Sequence, residues 1–322
     1  MRLLPGLLAT VAAPMLAAAA ATDTPPRGPH DYREQFETPY QTLIVERRGN
    51  IVDLRTPSPS WGEAIHSSVN LDDPLQLWHA YARVLYGALY FQPQPRRVLM
   101  IGLGGASFHR LFAAAYPEAL LQSVELDPKV LELCRERMAF TPAAQTPVAV
   151  MDGRVFIRKN REVWDWLILD AYRGETVPPH LKTAEFYREC AARLAPGGVL
   201  VANLHAHTEL YYADLRTLRE VFPQVVLIYC GVGSSVIAFA VNSAAPDLSD
   251  PVRWPDPATL ANPFFGGRLD LADLRRYVVP LPEEKMAQAP VLTDDHAPVE
   301  HLHSRKIPPA EWPRPRFLPE GN

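Results

Sequence analysis

The chain has 322 residues, 48% of them hydrophobic, and a formal net charge of -4. That length suits one large α/β domain with a smaller appendage, and mild acidity without a basic stripe argues against nucleic acid as a partner. Its 33 prolines crowd the two ends and the region after Ala244, so extended loops are expected there and compact structure in the middle.

The opening stretch, MRLLPGLLATVAAPMLAAAAATDTPP, sets one arginine before an apolar run that closes in Ala19-Ala20-Ala21. This is the pattern of a secretory signal cleaved after Ala21, so residues 1–21 are expected to be a signal peptide and 22–38 a linker. A genuine leader implies a periplasmic or secreted protein; otherwise the cytoplasm is expected. No later segment approaches the ~20 apolar residues that a spanning helix needs. Cys134, Cys190 and Cys230 lie in apolar patterns without metal or redox spacing, and read as packing residues.

Residues 40–45, 50–54 and 64–69 form short β-type runs, which predict a small antiparallel β unit over 39–74. Pro74, with an aspartate before it as cap, opens an apolar-periodic helix over 75–90. Trp61, Trp78, Tyr86 and Tyr90 read as packing residues rather than stacking platforms. From Arg97 the alternation is regular. Strands are predicted at 97–102, 120–126, 147–151, 165–170, 198–203, 224–230 and 235–241, and helices at 106–115, 128–138, 183–194 and 208–221. Only residues 231–234 separate the last two strands, which should pair antiparallel at a sheet edge. The fold class is therefore α/β: a Rossmann-like, seven-stranded sheet of the class I S-adenosylmethionine type over 75–242, with its leading helix. Residues 243–322 are expected to be a Pro-rich C-terminal extension with one short helix near 271–277.

The chemistry gathers at the carboxyl ends of successive strands, where open α/β sheets bind their ligands. Gly102, Gly104 and Gly105 let the backbone pass close to a ligand and aim amides from the start of a helix. Neither a Gly-x-Gly-x-x-Gly nor a Walker pattern is present. Glu125 ends the second strand about twenty residues on, where an acid suits two hydrogen bonds to ribose hydroxyls. Asp127, before Pro128, reads as a helix cap. Asp152, followed by Gly153, ends the third strand and reads equally as an adenine contact or a cap. Asp170 ends the fourth strand before a proline-containing loop. A carboxylate there can hold an ammonium nucleophile, take its proton and stabilise a nearby sulfonium. His205, His207, His296, His301 and His303 lack cysteine or carboxylate partners at ligand spacing, so no metal is expected.

The segments IGLGGAS, VELDP, DGR, ILDAY, HLKTAEFY and LAPGGVLVANL together resemble the spermidine synthase (polyamine aminopropyltransferase) family. The likeness is to its divergent bacterial branch, including domains fused to membrane transporters. It covers roughly residues 40–239, plus LTDDHAPVE at 292–300. The resemblance implies transfer of an aminopropyl group from decarboxylated S-adenosylmethionine to an amine. It implies that Gln41 contacts the nucleoside, Glu125 the ribose, Asp152 the adenine amino group and Asp170 the attacking amine. It also exposes a departure: the family carries a second aspartate three residues after the one matching Asp170, and here Arg173 stands there. Asp294 and Asp295 are candidate substitutes for that acid if their loop folds over the crevice.

The expected co-substrate is decarboxylated S-adenosylmethionine or S-adenosylmethionine itself, without metal. The expected partners are a small-molecule amine acceptor and a second copy of the chain in a homodimer. Two other readings share the fold: an S-adenosylmethionine-dependent methyltransferase, and a non-catalytic nucleoside- or polyamine-binding protein.

Overall fold

The structure, a computed structural model, describes residues 30–243, 247–248 and 250–315; the expected signal peptide and residues 22–29 of the expected linker lie outside them. Two sheets organise the chain. The first is antiparallel, with β1 (Tyr32–Glu37), β2 (Thr42–Arg48), β3 (Ile51–Ser58) and β4 (Gly62–Asn70) in sequential order. Where the sequence predicts three strands over 39–74, a fourth is formed by residues assigned to the linker. β1 alternates half-buried and exposed positions, and its charged outer face hides the strand pattern.

After this sheet come α1 (Ala80–Val84) and a tighter 3-10 turn, Leu85–Tyr90. The helix predicted over 75–90 thus begins only at Ala80, with His79 rather than Asp73 at its N-cap. Asp73 is engaged elsewhere: both its carboxylate oxygens accept from Arg268 Nη2 at 3.0 Å, so Pro74 opens an irregular segment.

The chain then alternates. β5 (Arg97–Ile101), α2 (Ser107–Ala115), β6 (Leu120–Glu125), α3 (Pro128–Arg137), β7 (Val148–Val150), α4 (Gly153–Lys159), β8 (Trp164–Leu169), α5 (Ala184–Ala191), β9 (Leu194–His205), α6 (Leu210–Val221), β10 (Gln224–Tyr229) and β11 (Ser235–Val241) follow in order. The sequence pattern does not show α4, because DGRVFIRK has little apolar periodicity; Asp152 starts it by accepting from the Val155 amide at 2.9 Å. The extension adds α7 (Leu271–Leu274), β12 (Val278–Val279), α8 (Glu283–Gln288) and α9 (Val299–Ser304). Strand order is β12-β10-β11-β9-β8-β5-β6-β7. The seven expected strands are joined by an eighth, because Val278 and Val279 pair with the otherwise free edge of β10.

Alternation along each strand divides the core. Val98, Met100, Trp166 and Ile168 face Tyr86, Phe108, Phe112 and Phe239. Leu99, Ile101, Leu167 and Leu169 face Phe186, Tyr187 and Leu215 on the other side. Tyr86 and Tyr90 belong to this core, whereas Trp61 and Trp78 are 58% and 46% exposed, against the expectation of packing. All three cysteines are buried and free. The small sheet sits on α3 and the glycine turn, where Leu43, Val45, Leu54 and Val69 meet Leu103, Val130 and Cys134. That packing carries Gln41 to the carboxyl end of β6.

The closest backbone approach is where β5 and β8 end side by side. Gly102 has φ +104°, and a Cβ there would stand 2.3 Å from the Asp170 carbonyl oxygen. Gly104 is also left-handed, at φ +52°, but its Cβ would find nothing nearer than 3.8 Å. Gly102→Ala is therefore expected to cost about 3 kcal/mol or more, through backbone collision as well as strain. Gly104→Ala is expected to cost about 1–2 kcal/mol, the conformational penalty alone. Urea unfolding of the two variants should show that order.

Candidate active site

A cleft of about 860 Å³ opens at the carboxyl ends of β5 to β9, with the small sheet as its far wall. One half is built by the first three strands. Gly102, Leu103 and Gly104 form its floor, and Glu125 stands beside them. The Glu125 carboxylate is fixed from behind: Oε2 accepts from the Leu103 amide at 3.1 Å and Oε1 from the Asp127 amide at 2.9 Å. Each oxygen keeps a lone pair for a ligand hydroxyl. Burial raises its pKa, and those two amides oppose the shift.

Asp127 is the expected cap: Oδ1 accepts from the Lys129 amide at 2.9 Å, and Thr38 Oγ1 donates to Oδ2 at 2.7 Å. Asp152 lines the cleft while also capping α4, and its other oxygen meets His180 Nε2 at 2.8 Å. Desolvation works to raise the Asp152 pKa, but the Val155 amide and His180 bring it below the usual value. Gly153 lies under the cleft against Ile101, where a Cβ would meet Cγ2 at 2.4 Å. Gln41 enters from the small sheet, with its side-chain oxygen buried and without a partner among the described residues. Gly105, expected to face the ligand, does not line the cleft. It is packed beneath the turn, where a Cβ would meet Met138 Cε and Ser67 Oγ at 2.5 and 2.6 Å.

The other half surrounds Asp170. Asn203 Nδ2 donates to Asp170 Oδ1 at 2.9 Å, while Asn203 Oδ1 is buried and unpartnered among the described residues. Burial pushes the Asp170 carboxyl up to about 7, against the Asn203 hydrogen bond that lowers it. Tyr172 donates its hydroxyl to the Asn203 carbonyl at 2.9 Å and stacks on His205, ring centroids 4.9 Å apart. Tyr81 donates to the His66 carbonyl at 3.0 Å. Three imidazoles line this half, and all are kept neutral. Burial takes His66 down to about 4 and His205 down to about 3, and it lowers His79 as well.

Sequence reading misses Asn203, Tyr81, His66 and His79 as site residues. Asn203 could have been found as the one amide side chain inside the apolar run VLVANL. Tyr81 and His79 are concealed by the continuous apolar periodicity of 75–90.

Asp294 and Asp295 do not line the cleft. Asp294 instead makes a two-bond ion pair with the buried Arg154, each bond 2.7 Å, and accepts from Thr183 Oγ1 at 2.7 Å. Arg154 also binds Glu189, so this cluster clamps the C-terminal extension onto α4 and α5. Asp295 is exposed. Arg173 lines the mouth of the cleft in the loop after β8. No group of three or more His, Cys, Asp or Glu arranged to hold a metal occurs among the described residues.

Glu175 holds that loop in place. Its carboxylate accepts from Ser58 Oγ and, at 2.8 Å each, from the Ser60 amide and hydroxyl, with His303 Nε2 at 3.4 Å. Desolvation works against the charged form, but the two serines and His303 take the carboxyl down to about 2.

The comparisons with known proteins agree with this architecture. The family profile described as "Spermine/spermidine synthase domain" matches residues 79–246. The chain belongs to that family. It is 38% identical over 150 residues to a polyamine aminopropyltransferase of Vibrio vulnificus, covering 46% of this chain and 50% of that protein. A polyamine aminopropyltransferase of Chromobacterium violaceum is 30% identical over 224 residues, covering 68% and 84%. A solved structure titled a probable spermidine synthase, from Corynebacterium glutamicum, superposes with TM-score 0.57 at 26% identity over 68% of this chain and 81% of that one. The spermidine synthase of Thermotoga maritima superposes at 0.58 over 79% and 87%, and at 18% identity its likeness is one of fold.

Because the Glu175 pKa is depressed, its stabilisation is complete above the ordinary carboxylate value and lost as pH falls toward about 2. Glu175→Ala is expected to cost about 1–3 kcal/mol at neutral pH and to speed proteolysis between residues 171 and 180. An unchanged urea midpoint and cleavage rate would show that the loop is held by other contacts.

Proposed function

We propose that the chain transfers an aminopropyl group from decarboxylated S-adenosylmethionine to a primary amine. Family membership supports the reaction class, and Asp170 is the observation that carries it. An amine reaches the cleft as an ammonium and must lose a proton before it can attack. Asp170, with a carboxyl pushed up to about 7, is matched to that proton near neutral pH. Its side chain, together with the free Asn203 oxygen, would orient the nitrogen.

The freed lone pair attacks the methylene next to the sulfonium. The N–C bond forms, the C–S bond breaks with its electrons passing to sulfur, and neutral methylthioadenosine leaves. The new secondary ammonium carries the transferred group, and one proton is released overall. Gln41, Glu125 and Asp152 would hold the nucleoside, with Gly102 and Gly104 giving it close access to the main chain. The methyltransferase reading shares the fold but has no such support from the family match.

Three measurements test this reading. Thermal-shift titration should show stabilisation by decarboxylated S-adenosylmethionine and by methylthioadenosine; stabilisation by S-adenosylmethionine alone would favour methyl transfer. The rate should rise with pH through about 7 as Asp170 deprotonates. Asp170→Asn should lower kcat by about 10²–10⁴-fold. Stability runs the other way. The folded chain keeps a proton on Asp170 that the unfolded chain gives up at the ordinary carboxylate value, so stability falls as pH rises from there through about 7. The asparagine variant lacks that loss and should unfold at higher urea than wild type at pH 8.

We further propose that residues 1–21 direct export and that the protein acts as a homodimer. No helix among the described residues is long and apolar enough to cross a membrane. Intact mass of the exported protein is expected to correspond to a chain beginning at Thr22; an intact Met1 in that fraction would rule out cleavage after Ala21.

A further inference from the structure

The acceptor half of the cleft has an asymmetric charge pattern. Its inner end offers two adjacent acceptors, Asp170 Oδ2 and the unpartnered Asn203 Oδ1, the latter on a residue only 5% exposed. That end suits one ammonium.

A second ammonium would need a second carboxylate, and none is free. Glu63 lines the same cleft but is ion-paired with Arg33, and Arg55 stands at 3.6 Å. Glu175 is taken up by Ser58, Ser60 and His303. Glu125, Asp127 and Asp152 belong to the nucleoside half and are tied to backbone amides.

At the mouth stands Arg173, the single arginine or lysine among the described residues that line the cleft. Among those residues it has no ion-pair partner. Its backbone is held in a tight turn: the Arg173 amide donates to the Thr176 carbonyl at 2.8 Å around Gly174, which has φ +60°. An unpaired guanidinium carried on this turn, three residues beyond Asp170, repels a distal cation and attracts a distal carboxylate.

Resting on the aminopropyl-transfer reading, we infer that the acceptor is an ω-amino carboxylate, its ammonium on Asp170 and Asn203 and its carboxylate paired with Arg173. The chemistry balances as before: the amino nitrogen gains the aminopropyl carbon, the C–S electrons go to sulfur, and one proton is released. The product is an N-(3-aminopropyl) amino acid.

The test uses the purified full chain with decarboxylated S-adenosylmethionine, following methylthioadenosine release with 4-aminobutanoate, 6-aminohexanoate, n-butylamine or putrescine. An amino acid is expected to give the highest kcat/KM, roughly 10- to 100-fold above putrescine, the range of a charge-assisted contact. Arg173→Asp, at an exposed position where folding should tolerate it, is expected to invert that preference. Putrescine as the better acceptor for wild type would overturn the inference while leaving aminopropyl transfer intact. Equal kcat/KM for n-butylamine and the amino acids, or no inversion in Arg173→Asp, would overturn the pairing at Arg173. Failure of every amine while a nucleoside still stabilises the chain would overturn the proposed activity and the inference together.

Discussion

At the ends of β5 and β8 the main chains approach so closely that Gly102 has no room for a Cβ beside the Asp170 carbonyl. One backbone hydrogen bond spans the contact, and another ties the end of β5 to β6. The Gly102 amide donates to Val124 at 2.8 Å, and the Asp170 amide donates to Ile101 at 3.0 Å. The glycine turn that floors one half of the cleft and the buried acid of the other half are therefore parts of one rigid junction. Their separation is set by sheet geometry rather than by loop conformation. This is the preorganisation a transfer reaction needs, since misplacement of reacting groups by an ångström costs a large factor in rate.

Burial then assigns charge states within that frame. The same desolvation that pushes Asp170 up takes His66 and His205 down, so at neutral pH the acceptor half holds one titrating carboxyl among neutral rings. A cation approaching Asp170 is thus not opposed by three imidazolium charges, although three histidines line its route. Burial also keeps the local dielectric low, which would strengthen the interaction of Asp170 with an ammonium held there.

What could be read from the sequence follows the range of the interactions involved. The glycine turn, Glu125, Asp152 and Asp170 were legible because each is set locally by a strand that ends in a loop. Their gathering into one cleft follows from parallel strand order alone. Gly105 shows the limit: it shares the turn with Gly102 and Gly104 but is packed against Met138 and Ser67, a long-range contact with no local signature. Asp294 shows it again, because its partner Arg154 lies on α4, which lacks helical periodicity of its own. β12 and β1 were illegible for a related reason. Val278-Val279 is too short to carry a period, and it becomes a strand only by meeting the free edge of β10. β1 carries a charge at two of its three outward positions, Arg33 and Glu37.

The departure at Arg173 gains meaning from the loop that holds it. Glu175, two residues on, bonds to Ser58 and Ser60 in the small sheet and to His303 on α9. One carboxylate therefore ties two separate parts of the chain, the β3–β4 hairpin and α9, to the loop that closes the acceptor half. With Glu175 committed to this role, it cannot also serve as a counter-ion for substrate. The Asp294 clamp removes the other candidate acid. Glu175 and Asp294 are thus spent on architecture and Asp295 lies outside the cleft, leaving Asp170, among the described residues of the acceptor half, as the carboxylate with an oxygen to spare. In such a site the sign of the charge at the mouth would decide which amine can be held at both ends, and Arg173 makes that sign positive.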